Sequence, residues 1–189
     1  MNKHVWMAAT LSWIMVLCNS EVLARDTTIQ LAPRIGMGRL HIAADHTLNQ
    51  SAAEADTLAL GATVGIVTPI GLMFEIGGFN YTNFSFFGAA ERLDLNEGTF
   101  AVGYQFESAN GFRVIPKLGR MQWRLSDKEG QLFNPGPEAQ RNSEGYANFW
   151  ELTLQKHVAK WASLGVDLKG ESFDVGNARA IMFVATFDL

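Results

Sequence analysis

The chain has 189 residues, 48% of them hydrophobic, 18% charged and 11% aromatic, with 18 glycines and one cysteine. A chain of that size and apolar content folds as one domain and is not disordered. Its excess of acid, 19 Asp and Glu against 15 Lys and Arg, excludes a nucleic-acid binder, which carries a basic face. The single Cys excludes a disulfide framework or a cysteine-ligated zinc.

Residues 1–24 read as a secretory signal peptide. Lys3 and His4 open it, Val5 to Leu17 carries no charge, and Val22-Leu23-Ala24 gives the small or β-branched residues that a signal peptidase reads. The apolar run is shorter than the roughly 20 residues of a membrane-spanning helix. Cleavage after Ala24 leaves residues 25–189 as one barrel domain. It removes one base, one acid and the only cysteine, Cys18, so the exported chain keeps its net charge of −4 and has no thiol chemistry.

From Thr28 onward the pattern has a period of two, the signature of half-buried strands. Apolar phases run through Ile29, Leu31, Ile35 and Met37; Leu58, Leu60, Ala62, Val64 and Ile66; Leu72, Phe74 and Ile76; Phe100, Val102, Tyr104 and Phe106; Phe112, Val114 and Leu118; Tyr146, Trp150, Leu152 and Leu154; Ala162, Leu164, Val166 and Leu168; and Ile181, Phe183, Ala185, Phe187 and Leu189. These phases predict eight strands, within Thr28–Leu40, Asp56–Val67, Gly71–Phe84, Glu97–Glu107, Phe112–Leu125, Glu144–Lys156, Trp161–Glu171 and the C-terminal segment. Short turns at Thr68–Ile70, Ser108–Gly111 and His157–Lys160 alternate with long connections, as an up-and-down barrel requires. Asn110-Gly111 is a hairpin signal. Pro33 and Pro116 interrupt two strands and predict a bulge or a local gap in each ladder. Met121–Leu125 fits the phase poorly.

The opposite faces decide between a soluble and a membrane barrel. They carry Arg34, Arg113, Lys117 and Lys169 with Glu75, Glu107, Glu151 and Asp167, set among glycines. Balanced charge beside glycine suits a narrow interior, because buried charges need partners and long side chains need room. A charge facing lipid instead costs roughly 2–4 kcal/mol for Arg or Lys at mid-bilayer. Aromatic residues fall toward both ends of the strands, with Phe79, Tyr81, Phe84, Trp123, Tyr146 and Trp150 at one and Phe106, Phe112, Trp161 and Phe187 at the other. Two such belts mark two membrane interfaces. The expected fold is all-β, an eight-stranded antiparallel up-and-down transmembrane β-barrel.

The mature chain resembles the small eight-stranded outer-membrane barrels of Gram-negative bacteria, the OmpA/OmpX-like and opacity-like group. The C-terminal strand Arg179–Leu189 resembles that group's assembly signal, although the family usually ends in Phe and here Asp188 and Leu189 follow Phe187. Gly61–Gly78 resembles its second hairpin. The resemblance implies residence in the cell outer membrane, recognition of the last strand by the barrel assembly machinery, and a structural or surface-interaction role. No peptidoglycan-binding domain is expected after the barrel, unlike in the group's two-domain members.

Chemistry is weakly signalled. His41, Asp45, His46 and Ser51 place a base, an acid and a hydroxyl in the first long loop, the minimum for acyl hydrolysis or transfer. Their spacing matches no lipase motif, and His157 lies on the opposite side. A narrow porin-like channel is the other alternative, opposed by a bore that eight strands leave just wide enough for side chains. No enzyme activity, cofactor or metal site is expected. Around the long loops Asp45, Glu54, Asp56, Glu91, Asp94, Glu97, Asp127, Glu129, Glu138, Glu144, Glu171 and Asp174 outnumber Arg92, Lys128, Arg141 and Arg179. This predicts an acidic mouth that repels anions and an external partner that the residues do not name. Traced upward, the outward phases reach Arg39, and Arg120 with Arg124, near the top of the apolar band, where guanidinium groups meet lipid phosphates. The expected lipid partners are outer-membrane lipid and lipopolysaccharide.

Overall fold

Eight antiparallel strands close into a barrel in the computed structural model, which describes residues 26–47, 53–83, 92–128 and 140–189. The strands are β1 (Thr28–Ile42), β2 (Ala53–Val67), β3 (Leu72–Asn83), β4 (Arg92–Tyr104, resuming at Phe106–Glu107), β5 (Phe112–Lys128), β6 (Gln140–Ala159), β7 (Ala162–Phe173) and β8 (Gly176–Asp188). Each pairs with the next in sequence, and β8 returns to pair with β1, so no strand edge is left unpaired. Among the described residues the one helical segment is a single 3-10 turn, Ala44–His46. Among the described residues no helix is long and apolar enough to cross a membrane.

The short turns are built alike. Thr68 accepts a bond from the N–H of Gly71 at 2.9 Å, and Ser108 accepts one from Gly111 at 2.9 Å. Both glycines hold positive φ, 86° and 74°, which a residue with a Cβ rarely adopts. Asn110-Gly111 therefore does not form a two-residue turn; Gly111 closes a longer one. Each of these glycine carbonyls also accepts from the strand beyond, Gly71 from Gln105 at 2.7 Å and Gly111 from His157 at 2.9 Å. The turns are thereby tied to the wall.

Both prolines sit at ladder gaps, without a change of register. The β1–β8 pairing passes from Leu31↔Phe187 to Arg34↔Val184 and skips Ala32 and Pro33. The β4–β5 pairing passes from Gly103↔Lys117 to Phe106↔Val114 and skips Pro116, opposite the break in β4. The register shift that does occur lies between His157 and Ala159 on β6.

The outward face is apolar over the lower part of the wall: Met37, Leu118 and Phe183 are each 72% exposed, as lipid-facing residues are. Toward the long-loop end the two faces exchange character. Asp56, Asn96, Gln122, Arg124 and Glu144 point out, while Leu40, Ile42, Leu93, Leu95, Met121, Trp123, Leu125, Phe173 and Val175 pack inside. The outward phase of β5 runs unbroken through Arg120, Gln122 and Arg124, as traced from sequence, although Met121–Leu125 fits that phase poorly by composition. The exchange corrects two expectations. Several strands continue beyond their predicted upper ends, β6 by four residues at its start. Phe79, Tyr81 and Trp123 point into the bore and take no part in an interfacial belt. Tyr146 and Trp150 face out near the long-loop end, with Phe112 and Trp161 at the other, where Trp161 stacks on Phe187 at 5.9 Å. Phe84 and the signal segment lie outside the described residues.

Closure depends on the last residues of β8. Phe187 pairs with Leu31 and Asp188 with Gln30. Removing Phe187–Leu189 is expected to abolish the compact, heat-modifiable band of the refolded protein on unboiled gels and its resistance to protease.

Candidate functional site

The barrel interior holds three tiers of polar side chains beneath the apolar cluster. In the middle tier, Arg34 of β1 donates from Nη2 to Glu75 of β3 at 3.1 Å and to Glu151 of β6 at 3.2 Å. Its Nε pairs with Asp167 of β7, and its Nη1 bonds the Thr63 hydroxyl. Lys117 of β5 meets Glu75 at 3.1 Å and pairs with Glu151, its neighbour in register. Two cations and three carboxylates thus join five strands across the bore. Burial gives each ion strong attraction for its partners and a high cost if one is lost.

The upper tier is built on Lys169 of β7. Its ammonium pairs with Glu97 of β4, lies 2.9 Å from Glu171 and 3.3 Å from the Tyr81 hydroxyl, and faces the Phe79 ring at 4.2 Å. Glu97 and Glu171 were assigned by sequence to the acidic mouth; they belong to the interior. The signal that finds them is the inward phase itself, since Glu97 continues Thr99 and Glu171 continues Lys169 by steps of two. Space for the rings comes from glycine: a Cβ at Gly61 would stand 2.4 Å from the Phe79 ring, and one at Gly119 would stand 2.4 Å from Phe149.

The lower tier is centred on Arg113, which bonds Glu107 and Asp188, each at 2.9 Å. Gln30 donates to Asp188 at 2.8 Å. Ser163, His157 and Glu107 stand in the order of a hydrolase triad, with the Ser163 hydroxyl 3.2 Å from Nδ1 of His157 and Nε2 3.3 Å from Glu107. Ser163, however, is 0% exposed, and its oxygen accepts a bond from Arg113. The arrangement braces the end of the barrel and offers a substrate no nucleophile.

On the outer wall, Arg39 pairs with Asp56 at 3.0 Å, Arg124 pairs with Glu144 at 3.2 Å, and Arg120 lies over the Tyr146 ring at 5.4 Å. Arg39 stands on β1 and the other two on β5, on opposite sides of the barrel, so the three do not form one site. In the first long loop, His41 points out from β1 toward Glu54 at 3.5 Å and Asp45 is exposed. The His46 side chain and Ser51 lie outside the described residues, as do Glu91, Glu129 and Glu138. Among the described residues no group of three His, Cys, Asp or Glu side chains could hold a metal ion.

No family model matches the sequence, and no curated protein does. Solved structures do match. Neisserial surface protein A is 10% identical, with a TM-score of 0.65 over 85% of this chain and 96% of that one. Ail, the attachment invasion locus protein of Yersinia pestis, is 8% identical, with a TM-score of 0.60 over 88% of this chain and all of its own. The N-terminal β-barrel domain of Pseudomonas aeruginosa OprF is 11% identical, with a TM-score of 0.54 over 87% and 98%. At these identities the likeness is one of fold, and the fold is that of the small outer-membrane barrels.

The network sets two stability predictions. Lys117→Met leaves Glu151 and Glu75 short of a cation and is expected to destabilise the refolded barrel by about 3–5 kcal/mol in urea titration. Adding Glu151→Gln should return part of that loss; strict additivity would mean no coupling. Lys169→Met is expected to cost a similar amount, because two enclosed carboxylates then face each other, and Glu97→Gln with Glu171→Gln in the same chain should restore most of it.

Proposed function

We propose that the protein is an outer-membrane barrel with a structural or surface-interaction role, a sealed anchor that carries external segments. The exchange of polarity along the strands carries this reading. A wall that is apolar outside below and polar outside above suits a barrel that crosses a bilayer and projects beyond it on the long-loop side. The β5–β6 hairpin, paired as far as Lys128↔Gln140, is a raised platform for a partner. Ail has been seen with the heparin analogue sucrose octasulfate; here exposed Asp45, Glu54, Asp56, Glu144 and Asp174 argue against so anionic a ligand and favour a basic or neutral one. The terminal strand β8 is the element that barrel assembly machinery would recognise.

The sealed bore argues against a channel, and the enclosed Ser163 argues against acyl chemistry. The refolded protein is expected to give no stable conductance steps in planar bilayers. In intact cells external protease should cut the long connections and spare the short turns. Discrete conductance, or recovery as a soluble periplasmic protein, would overturn the reading.

A further inference from the structure

The two prolines interrupt the wall in the same way. In the unchanged register Pro33 stands opposite Ala185 on the β1–β8 seam, and Pro116 opposite Tyr104 on the β4–β5 seam. Both face the seam with the nitrogen that lacks a hydrogen. Leu189 donates across β1–β8 to the carbonyl of Ile29, and alternation puts residue 33 on that same edge; Gln105 donates to Gly71, which leaves Tyr104 turned to β5. Beyond each gap, toward the short turns, two ladder pairs remain: Leu31↔Phe187 with Gln30↔Asp188, and Phe106↔Val114 with Glu107↔Arg113. A polar pair in register closes each, Gln30 to Asp188 at 2.8 Å and Arg113 to Glu107 at 2.9 Å. The residues match too: Pro33-Arg34-Ile35-Gly36 on β1 with Pro116-Lys117-Leu118-Gly119 on β5, and Phe187-Asp188 on β8 with Phe106-Glu107 on β4. The two seams lie four strands apart in either direction around the ring, so they divide the barrel into equal halves, β1–β4 and β5–β8. Of the other six ladders, five run unbroken and the sixth shifts near its turn, between His157 and Ala159.

We propose that the two halves are one repeated four-stranded unit, and that the short-turn end of the barrel is hinged along both proline seams. A proline inside a ladder removes a hydrogen bond, and two pairs isolated beyond the gap open at lower cost than a continuous ladder. Arg113 is the latch. Its guanidinium holds Glu107 of the first half and also Asp188, the partner of Gln30, so both seams close on one side chain. Above the gaps, Arg34 and Lys117 are the matching cations of the repeat. Both bind Glu75 of the first half and Glu151 of the second. They form the pivot, where the halves stay joined while the ends below them swing apart and bring the Arg113 tier to water.

The test is amide hydrogen exchange, read residue by residue by NMR on the refolded full-length barrel in detergent micelles. In wild type, Ala185 and Tyr104 should exchange at least about tenfold faster than Val64 and Leu154, which lie on unbroken ladders inside the two halves. Arg113→Gln should speed exchange at both seams together. Pro33→Ala supplies the missing donor at one seam. It should slow exchange at Ala185 and, because the halves move as bodies, at Tyr104 on the opposite seam as well; Pro116→Ala should give the reciprocal result. Uniform exchange around the ring of the wild type overturns the hinge without recourse to any variant. Seams that each respond to their own proline alone are two local gaps, and that result overturns the motion of halves as units. Exchange at the seams unchanged by Arg113→Gln overturns the latch.

Discussion

The narrowness of the bore governs this structure. Eight strands enclose room for side chains and little else, so each inward residue must fit its neighbours and each inward charge must find its opposite. Arg34 meets this demand by reaching carboxylates from β3, β6 and β7, and Lys117 by bridging Glu75 and Glu151. These bonds run across the bore as well as along the ladders. The backbone hydrogen bonds close the wall, and the ion network holds its opposite sides at a fixed distance. Lost cations are costly here because the remaining carboxylates are buried and would be left without an opposite charge.

A second consequence follows at the long-loop end. Once the wall rises past the lipid, its outer face meets water and needs polar residues, while its interior no longer needs to hide charge from a lipid-facing shell. The strands answer by exchanging faces. Trp123 and Phe173 meet inside at 5.1 Å between ring centres, where a soluble barrel would place them. The upper part is built like a soluble barrel and the lower part like a membrane one, in one continuous hydrogen-bonded wall. The apolar cap and the charge tiers below it fill the same bore.

That exchange also explains what the sequence made legible. Below the boundary, outward residues are apolar and inward ones polar, so alternation alone yields the strands, their phases and the inward set that includes Arg34, Glu75, Lys117 and Asp167. At the boundary the contrast passes through zero and then reverses. Met121–Leu125 looks out of phase by composition although its backbone never leaves the ladder. Glu97 and Glu171 look like rim acids because they are the end residues of their predicted strands, beside the long connections. Pairing partners were legible only where strands are sequential neighbours, as for Lys117 and Glu151. Lys169 and Glu97 come from strands three apart, and their contact depends on how the sheet staggers as it closes, which no local pattern encodes.

The same layering separates what the protein can vary from what it cannot. The charge tiers and the apolar cap share partners around the ring, so a change at Arg34 or Lys169 is felt on several strands at once. The outward rim has no such coupling: Arg39 with Asp56 and Arg124 with Glu144 are exposed pairs on adjacent strands, worth little to stability. Residues there are free to answer to lipid or to a partner, since the fold does not depend on them. The proposed surface role therefore falls to the rim, and the buried charges serve to hold the wall together.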